Sequence, residues 1–236
     1  MPLDSPEDVV RLMSRGEITS LQLHPWGSNY TFVARVRDST GECLAIYKPR
    51  DGEIPLWDFP DHTLYKREYA AYLFSRVLGW DFIPLTVIRE GPHGIGSLQY
   101  YVDHDPRATY YDLRETDSDA LRTMACFDLV SNNADRKAVH FLRDTAGKVW
   151  GIDHGLTFNS TMKVRTVVWD FAGEAIPAHL LQALSGFLRR LVRPDDDVGE
   201  LMELLDEEEV AALVHRIAWI LDVGEYPAIR RRRYRR

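Results

Sequence analysis

The sequence predicts an α+β fold of two lobes, with an antiparallel sheet and one main helix in the N-lobe and a mostly helical C-lobe. Short stretches of alternating apolar residues, typical of strands, recur from residue 17 to residue 102. A polar, proline-containing segment at 103–112 follows them. From residue 118 onward, apolar residues recur mainly at helical spacing. We therefore predict an N-lobe at 1–102, a C-lobe at 103–224 and a basic tail at 225–236.

Composition excludes several classes of protein. The 236 residues are 45% hydrophobic and 28% charged, as in ordinary globular proteins, and the net charge of -7 argues against a general nucleic-acid binder. Cys43 and Cys126 lie in apolar settings without CxxC spacing, which indicates reduced thiols in a cytoplasmic protein or a single disulfide. We find no signal-peptide pattern at the start and no window long enough to span a membrane.

The chain ends in IRRRRYRR, with six Arg among its last seven residues. We favour a disordered, solubilising tail. The alternative is an electrostatic contact with an anionic lipid or nucleic-acid surface.

Helices and strands can be predicted in each lobe from the spacing of apolar residues and from turn and capping residues. Ser5 is expected to cap a first helix that turns Val9, Leu12 and Met13 inward. The remaining N-lobe predictions are strands at 17–23, 30–38, 42–50, 84–88 and 97–102, a helix at 63–78 and a flexible loop at 91–96. The C-lobe predictions are a helix at 118–130, a hairpin of 140–142 with 149–152, and closing helices at 177–192 and 200–223.

The stretch from Asp128 to Phe158 holds the candidate chemistry. Its hairpin would bring Asp135 and Asp153 to the same end. Phosphoryl transfer needs such a pair, because one carboxylate orients a hydroxyl and another holds the metal that bridges the nucleotide phosphates. The alternatives are a solvated charged turn at 135–137 and an ordinary turn aspartate at Asp153.

The motif Asp-Arg-Lys-x-x-His at 135–140, followed by Ile-Asp-His-Gly at 152–155, resembles the core of a known group. It is similar to the atypical protein-kinase-like superfamily, in particular small bacterial phosphatidylinositol 3-/4-kinase-like proteins related to HipA. Gly-Ser-Asn at 27–29 and Tyr-Lys-Pro at 47–49 extend the resemblance over roughly residues 20 to 220. It implies a bilobal protein-kinase-like fold that binds ATP and Mg²⁺, or Mn²⁺, between the lobes.

The resemblance also implies nucleotide-binding roles in the N-lobe. Lys48 would contact the phosphates and pair with Glu68, twenty residues later. Ser28 and Asn29 would lie over the phosphates, although turn-forming residues there also suit a simple hairpin turn. Gln99 and Tyr101 would fall where a hinge offers backbone groups to adenine. The alternative for Lys48 is a strand-end lysine that reaches solvent.

In the C-lobe, Asp135 would orient the acceptor hydroxyl and Lys137 would offset the charge of the transferred group. Asp153 and His140 would hold metal. The family usually has Asn where this chain has His140, and imidazole suits Mn²⁺ or Zn²⁺ better than Mg²⁺. Either the metal site differs, or Asn133 or a water fills the position, or activity is reduced.

The expected function is therefore an ATP-dependent kinase acting on a hydroxyl of an inositol lipid, a protein Ser/Thr or a small alcohol. The alternative is a pseudokinase or nucleotide-binding regulatory module. Dinucleotide-binding, P-loop, zinc-protease and serine-hydrolase motifs are absent from the sequence.

Overall fold

The computed structural model describes residues 6–25 and 29–228. Within these ranges, five strands form one antiparallel sheet in the order β1-β2-β3-β5-β4. The N-lobe elements are α1 (Pro6–Arg15), β1 (Glu17–Leu23), β2 (Phe32–Arg37), β3 (Glu42–Pro49), α2 (Leu64–Val77), β4 (Thr86–Gly91) and β5 (Gly94–Tyr100). The antiparallel sheet predicted for this lobe is confirmed.

The C-lobe is mainly helical and carries one short hairpin. Its elements are α3 (Tyr110–Leu113), α4 (Ser118–Val130), β6 (Phe141–Arg143), β7 (Val149–Gly151), α5 (Ala178–Arg190), α6 (Asp196–Glu203) and α7 (Glu207–Val223). The β6-β7 pairing of Phe141 with Gly151 is the predicted hairpin, and its tip is closed by Asp144, whose carboxylate accepts from the amide N–H of Lys148 at 2.8 Å.

The two lobes have separate hydrophobic cores, and α2 belongs to the larger one. The sheet core contains Leu12, Met13, Ala34, Val36, Ala45, Tyr47 and Leu98. Phe74 of α2 instead packs against Phe127 on α4 and Phe187 on α5, with ring centroids 5.6 and 5.1 Å apart. The helix predicted as part of the N-lobe therefore shares its apolar packing with the C-lobe.

The segment 91–96 is not the flexible loop that its glycines suggested. Gly91 pairs with Gly94, so only two residues turn between β4 and β5. Gly94 has φ +87°, and a Cβ at Gly96 would lie 2.4 Å from the carbonyl oxygen of Lys48. These glycines permit a tight turn and close strand packing rather than mobility.

The predicted closing helix at 200–223 is two helices. Asp206 starts α7 with a capping box, because its carboxylate accepts from Glu209 N at 2.8 Å while Glu209 accepts from Asp206 N at 3.2 Å. This capping signal, Asp followed by Glu three residues later, is readable in the sequence and was missed.

The C-lobe extends past the predicted tail boundary. Tyr226 is buried, and its hydroxyl donates to the carbonyl oxygen of Arg122 at 2.8 Å. Ser5 and the arginines of 229–236 lie outside the described residues. Cys43 and Cys126 are free thiols. In the part of the chain that the structure describes, no helix is long and apolar enough to cross a membrane.

Candidate active site

Lys48 lies in the cleft between the lobes with a carboxylate on either side. The alternation of β3 directs Ala45 and Tyr47 into the sheet core and Lys48 to the opposite face. Its ammonium group forms ion pairs with Glu68 of α2 and with Asp153, at 2.7 Å from Asp153 Oδ1. Burial lowers the pKa of Lys48, but the two carboxylates outweigh it and leave the pKa above its ordinary value.

Asp153 follows β7 in a left-handed conformation with φ +62°. Such a conformation is costly for a non-glycine residue and persists where surrounding contacts enforce it. Here the next amide, His154 N, donates to Glu68 Oε2 at 2.9 Å. The positive charge of Lys48 holds the pKa of Asp153 well below its ordinary value, so this carboxylate is ionised at neutral pH.

His140 is buried beside Asp153, with its Nε2 3.3 Å from Asp153 Oδ2. Burial lowers its pKa to about 4, because desolvation and the charges of Arg136 and Lys137 outweigh the attraction of Asp153 and Asp135. Its Nδ1 accepts from Lys137 N at 3.4 Å, so the ring proton lies on Nε2 and faces Asp153. In this arrangement His140 is a donor to Asp153, whereas a metal ligand would need a lone pair on Nε2.

Asp135 lies on the loop that joins α4 to the hairpin, half-exposed. Its Oδ2 is 2.6 Å from Lys137 Nζ, and Lys137 extends to solvent. Its amide N–H donates to the side-chain oxygen of Asn133 at 3.0 Å. Asp135 is also close enough to His140 for its charge to affect that group. The structure thus brings Lys48, Glu68, Asp153 and His140 into direct contact, and Asp135 and Lys137 pair with each other on the loop that leads to His140.

A buried ion pair below the cleft fixes this loop. Both side chains of Asp128 and Arg136 are fully buried, and Arg136 Nη2 is 2.9 Å from Asp128 Oδ1. Arg136 also donates to the carbonyl oxygen of Ile152 at 3.0 Å and contacts His154 Nε2 at 2.7 Å. The loop and the turn after β7 are therefore held by one guanidinium. Sequence reasoning gave neither Asp128 nor Arg136 a role.

The side chains of Asn132 and Asn133 are both used in hydrogen bonds within the fold. Asn132 has φ +56° and its side chain binds the backbone at Asn159, Thr161 and Lys163. Asn133 is buried, and its amide donates to Asp128 Oδ1 at 2.9 Å while its oxygen accepts from Asp135. The suggestion that Asn133 replaces the missing family asparagine as a metal ligand does not fit these contacts.

The predicted adenine and phosphate contacts stay a prediction, and polar groups of three of these residues form hydrogen bonds within the fold. Gln99 lies inside the sheet between Ile46 and Thr86, and its side chain donates to Thr86 Oγ1 at 3.0 Å. The amide N–H of Tyr101 donates to Leu44 O at 3.0 Å, so that donor is already used. Asn29 accepts from Ile54 N at 2.8 Å. Ser28 lies outside the described residues.

The segment at 159–176 runs beside the loop that carries Asp135. Arg165 is exposed, and its backbone binds Asn133 O and Arg136 N at 2.9 Å each. Lys163 pairs with Asp58 of the loop before α2 and lies 4.4 Å from the ring centroid of Trp57. The loop at 51–62 thus contacts the segment at 159–176.

Asp153 is the residue of this site that fits a divalent cation. Asp153 is ionised, and its side chain is 46% exposed, so it offers an oxygen ligand of the kind that Mg²⁺ and Mn²⁺ prefer. Because such ions in phosphotransferases take their other ligands from phosphates and water, one carboxylate is compatible with the site. His140 is not placed as a ligand.

No family model matches the chain. Crystal structures of the Golgi casein kinase are similar to it at 16% and 15% identity, with TM-scores of 0.53 and 0.57; the second has Mn/ADP bound. Both likenesses cover 93% of this chain and 76% of the other. At this identity the likeness shows the fold alone, and the predicted protein-kinase-like fold is confirmed.

The closer resemblance to phosphatidylinositol 3-/4-kinase-like and HipA-related proteins stays a prediction. A curated relative, "Protein Rv2133c" of Mycobacterium tuberculosis (strain ATCC 25618 / H37Rv), is 38% identical over 256 residues. The alignment covers 94% of this chain and 91% of that protein. The chain therefore belongs to the same family as protein Rv2133c and has a protein-kinase-like fold.

Proposed function

We propose that the protein is an ATP-dependent phosphotransferase that moves the γ-phosphoryl group to a hydroxyl acceptor. The observation that carries the proposal is the position of Lys48, whose ammonium lies between Glu68 and Asp153, 20 and 105 residues away in sequence. A partly buried amine between two carboxylates is the arrangement that aligns nucleotide phosphates and their metal in kinases. The Golgi casein kinase structure with Mn/ADP bound adds support from a protein of the same fold.

Each proposed role follows from a contact. Lys48 orients the phosphates, and Glu68 fixes the direction of Lys48. Asp153 supplies a carboxylate oxygen to Mn²⁺ or Mg²⁺, which would neutralise charge on the phosphates. Asp135 accepts the hydrogen of the acceptor hydroxyl. Lys137, 2.6 Å from Asp135, stabilises the negative charge on the transferred phosphoryl group. The acceptor is an inositol lipid, a protein Ser/Thr or a small alcohol.

The test is thermal stabilisation by ATP with Mn²⁺ or Mg²⁺. We expect stabilisation of the native protein and its loss in Lys48→Ala and Asp153→Ala. Glu42→Ala is the control, because Glu42 lies on the same strand as Lys48 but pairs with Arg35 at the surface. A native protein that no nucleotide stabilises would remove the proposal.

Transfer is then tested with labelled ATP, separating lipid, protein and small-molecule fractions after incubation. Label retained in one fraction by the native protein, and lost with Asp135→Asn, is the expected result. Label in all fractions at the level of a protein-free sample would contradict transfer.

A second candidate is a nucleotide-binding regulatory module without transfer. His140 favours it, because its ring donates to Asp153 where the resembled family has a metal-binding Asn. His140→Asn separates the two candidates. If the native protein and this variant both bind nucleotide but neither transfers phosphate with Mg²⁺ or Mn²⁺, the binding module is favoured.

A further inference from the structure

Next to Glu68 on α2 lies Arg67, a buried arginine whose polar contacts reach into the C-lobe. Its side chain is 2% exposed. Nη1 donates to the carbonyl oxygen of Thr157 at 2.7 Å, and Nη2 forms an ion pair with Glu209 on α7. The ring of Phe59 covers the guanidinium at 5.0 Å from its centroid.

Arg67 and Glu68 hold the two ends of one turn. Glu68 Oε2 accepts from His154 N at 2.9 Å, and Arg67 reaches the carbonyl oxygen of Thr157. Thr157 closes the turn by donating from its hydroxyl to His154 O at 2.7 Å. At Gly155, a Cβ would be 3.3 Å from Glu68 Oε1, so the helix and the turn are packed closely.

Asp153 immediately precedes this turn and has the left-handed φ of +62°. A strained backbone persists only when surrounding contacts enforce it. The Asp128–Arg136 network holds the turn from below through Ile152 O and His154, and α2 holds it from the other side through Glu68 and Arg67.

We propose that Arg67, paired with Glu209, is a positioning residue that fixes the turn at 154–157 and thereby keeps Asp153 in its metal-facing conformation. The functional part of this inference rests on the proposed phosphotransferase activity. Arg67 touches neither nucleotide nor acceptor; it acts through the turn.

Stability alone is a poor explanation for the Arg67–Glu209 pair. Desolvating two charges offsets much of their attraction, and buried pairs can often be replaced by apolar side chains of similar volume without loss. What an apolar pair cannot supply is a directed hydrogen bond to Thr157 O. The planar fork of arginine reaches Thr157 and Glu209 together, which a lysine ammonium cannot reproduce.

Two variants separate the roles. Arg67→Lys keeps a cation for Glu209 but gives up the fork. The double variant Arg67→Met with Glu209→Gln removes both charges, so neither is left buried without a partner, and the Gln side-chain oxygen can still accept from Asp206 N at the start of α7. Tyr69→Phe is the matched control, because Tyr69 ties the same helix to α6 through Glu200 at 2.8 Å and does not contact the turn.

The first readout is hydrogen exchange of the amides at 154–157 in the protein without nucleotide or metal. We expect both Arg67 variants to exchange at least about tenfold faster there, since a lost hydrogen-bond anchor of about 1.4 kcal/mol corresponds to that factor. Tyr69→Phe should leave exchange at the turn as in the native protein. Native-like protection of the turn in both Arg67 variants would overturn the inference.

The second readout is transfer rate against Mn²⁺ concentration. Outer contacts of a metal site typically contribute a factor of about 10 to 100, so we expect a loss of that size in kcat or metal affinity without a comparable loss of melting temperature in the double variant. A rate that falls equally in Tyr69→Phe, in proportion to lost stability, would show a purely structural role and overturn the inference. If the native protein transfers no phosphate at all, the proposed function fails, and the exchange result by itself still decides whether Arg67 fixes the turn.

Discussion

The two sides of the cleft differ in how their polar side chains are used. On the C-lobe side, His140 contacts Asp153, Asp135 lies on the adjoining loop, and the fully buried Asp128–Arg136 pair holds this region from below. On the sheet side, Lys48 of β3 directs its charge to Asp153, and Glu68 of α2 pairs with it. The side chains of Gln99 and Asn29 instead form hydrogen bonds within the fold, to Thr86 and Ile54.

This difference follows from the chemistry each side would perform. Charges that act on a reacting group must be held in place beforehand, and buried hydrogen bonds provide that rigidity. Adenine recognition uses backbone groups at a strand edge. A residue offers these groups whatever its side chain, so they leave no pattern in the sequence. The sequence is therefore more informative about the C-lobe side of the cleft than about the sheet side.

The largest expected effect comes from removing Asp128. In Asp128→Ala, Arg136 stays buried without its counter-ion, and we expect the free energy of unfolding to fall by about 3–5 kcal/mol. Urea denaturation followed by circular dichroism measures this loss. The control is Glu42→Ala, which breaks a pair of similar length, 2.8 Å, whose side chains are both 47% exposed. That control should cost at most about 1 kcal/mol. If the two variants lose the same free energy of unfolding, the buried Asp128–Arg136 pair does not hold the C-lobe side more firmly than an exposed pair would.

The next effect is a pH dependence carried by His140. Its pKa is about 4 in the folded protein against 6.5 ordinarily, so the unfolded chain takes up a proton first as pH falls. Stability should therefore drop between pH 6.5 and pH 4 and level off below, by about 3 kcal/mol for this group.

Comparing unfolding curves of the metal-free native protein and His140→Gln across that range isolates the contribution. The buried His154, whose pKa is also lowered by burial, remains in both proteins and cancels. Parallel stability curves for the two proteins would mean that His140 is not the neutral donor described above.

The smallest effect concerns the sheet side. Gln99→Leu removes one neutral hydrogen bond to Thr86, so we expect a loss of about 1 kcal/mol in unfolding free energy. Nucleotide affinity, measured by calorimetry with ADP and Mn²⁺, should be unchanged because this side chain is turned to its neighbour strand. An affinity loss comparable to that of Lys48→Ala would mean that the Gln99 side chain itself contacts the nucleotide, in addition to the backbone contact predicted from the sequence.

Local patterns predicted much of the fold, for identifiable reasons. The Ser118–Val130 helix and the strand pair around Asp144 follow from periodicity and turn chemistry, which act over a few residues. Lys48 and Glu68 were paired through the family resemblance, and the structure brings them into contact. The two helices at the end of the chain differ from the single predicted helix because a capping box at Asp206 starts a new helix within a continuous helical pattern.

The buried charges were beyond sequence reasoning. In the sequence Arg67 simply follows Lys66, yet in the structure it is buried against Glu209, 142 residues away. Asp128 lies on an apolar helix and gave no sign of accepting from Arg136, Asn133 and Thr166 at once. Nothing in residue spacing encodes which distant charge will meet which.

By itself the sequence determined the order of the elements, the alternation that turns Lys48 away from the sheet core, and the two motifs that carry Asp135 and Asp153. Only the tertiary structure decided that α2 packs with the C-lobe, that His140 donates to Asp153, and that Asn133 is already bound. The physical reason is the distance along the chain over which each effect acts. Periodicity and turn preference are properties of neighbouring residues, whereas burial, charge pairing and the state of a proton depend on groups that meet only when the chain is folded.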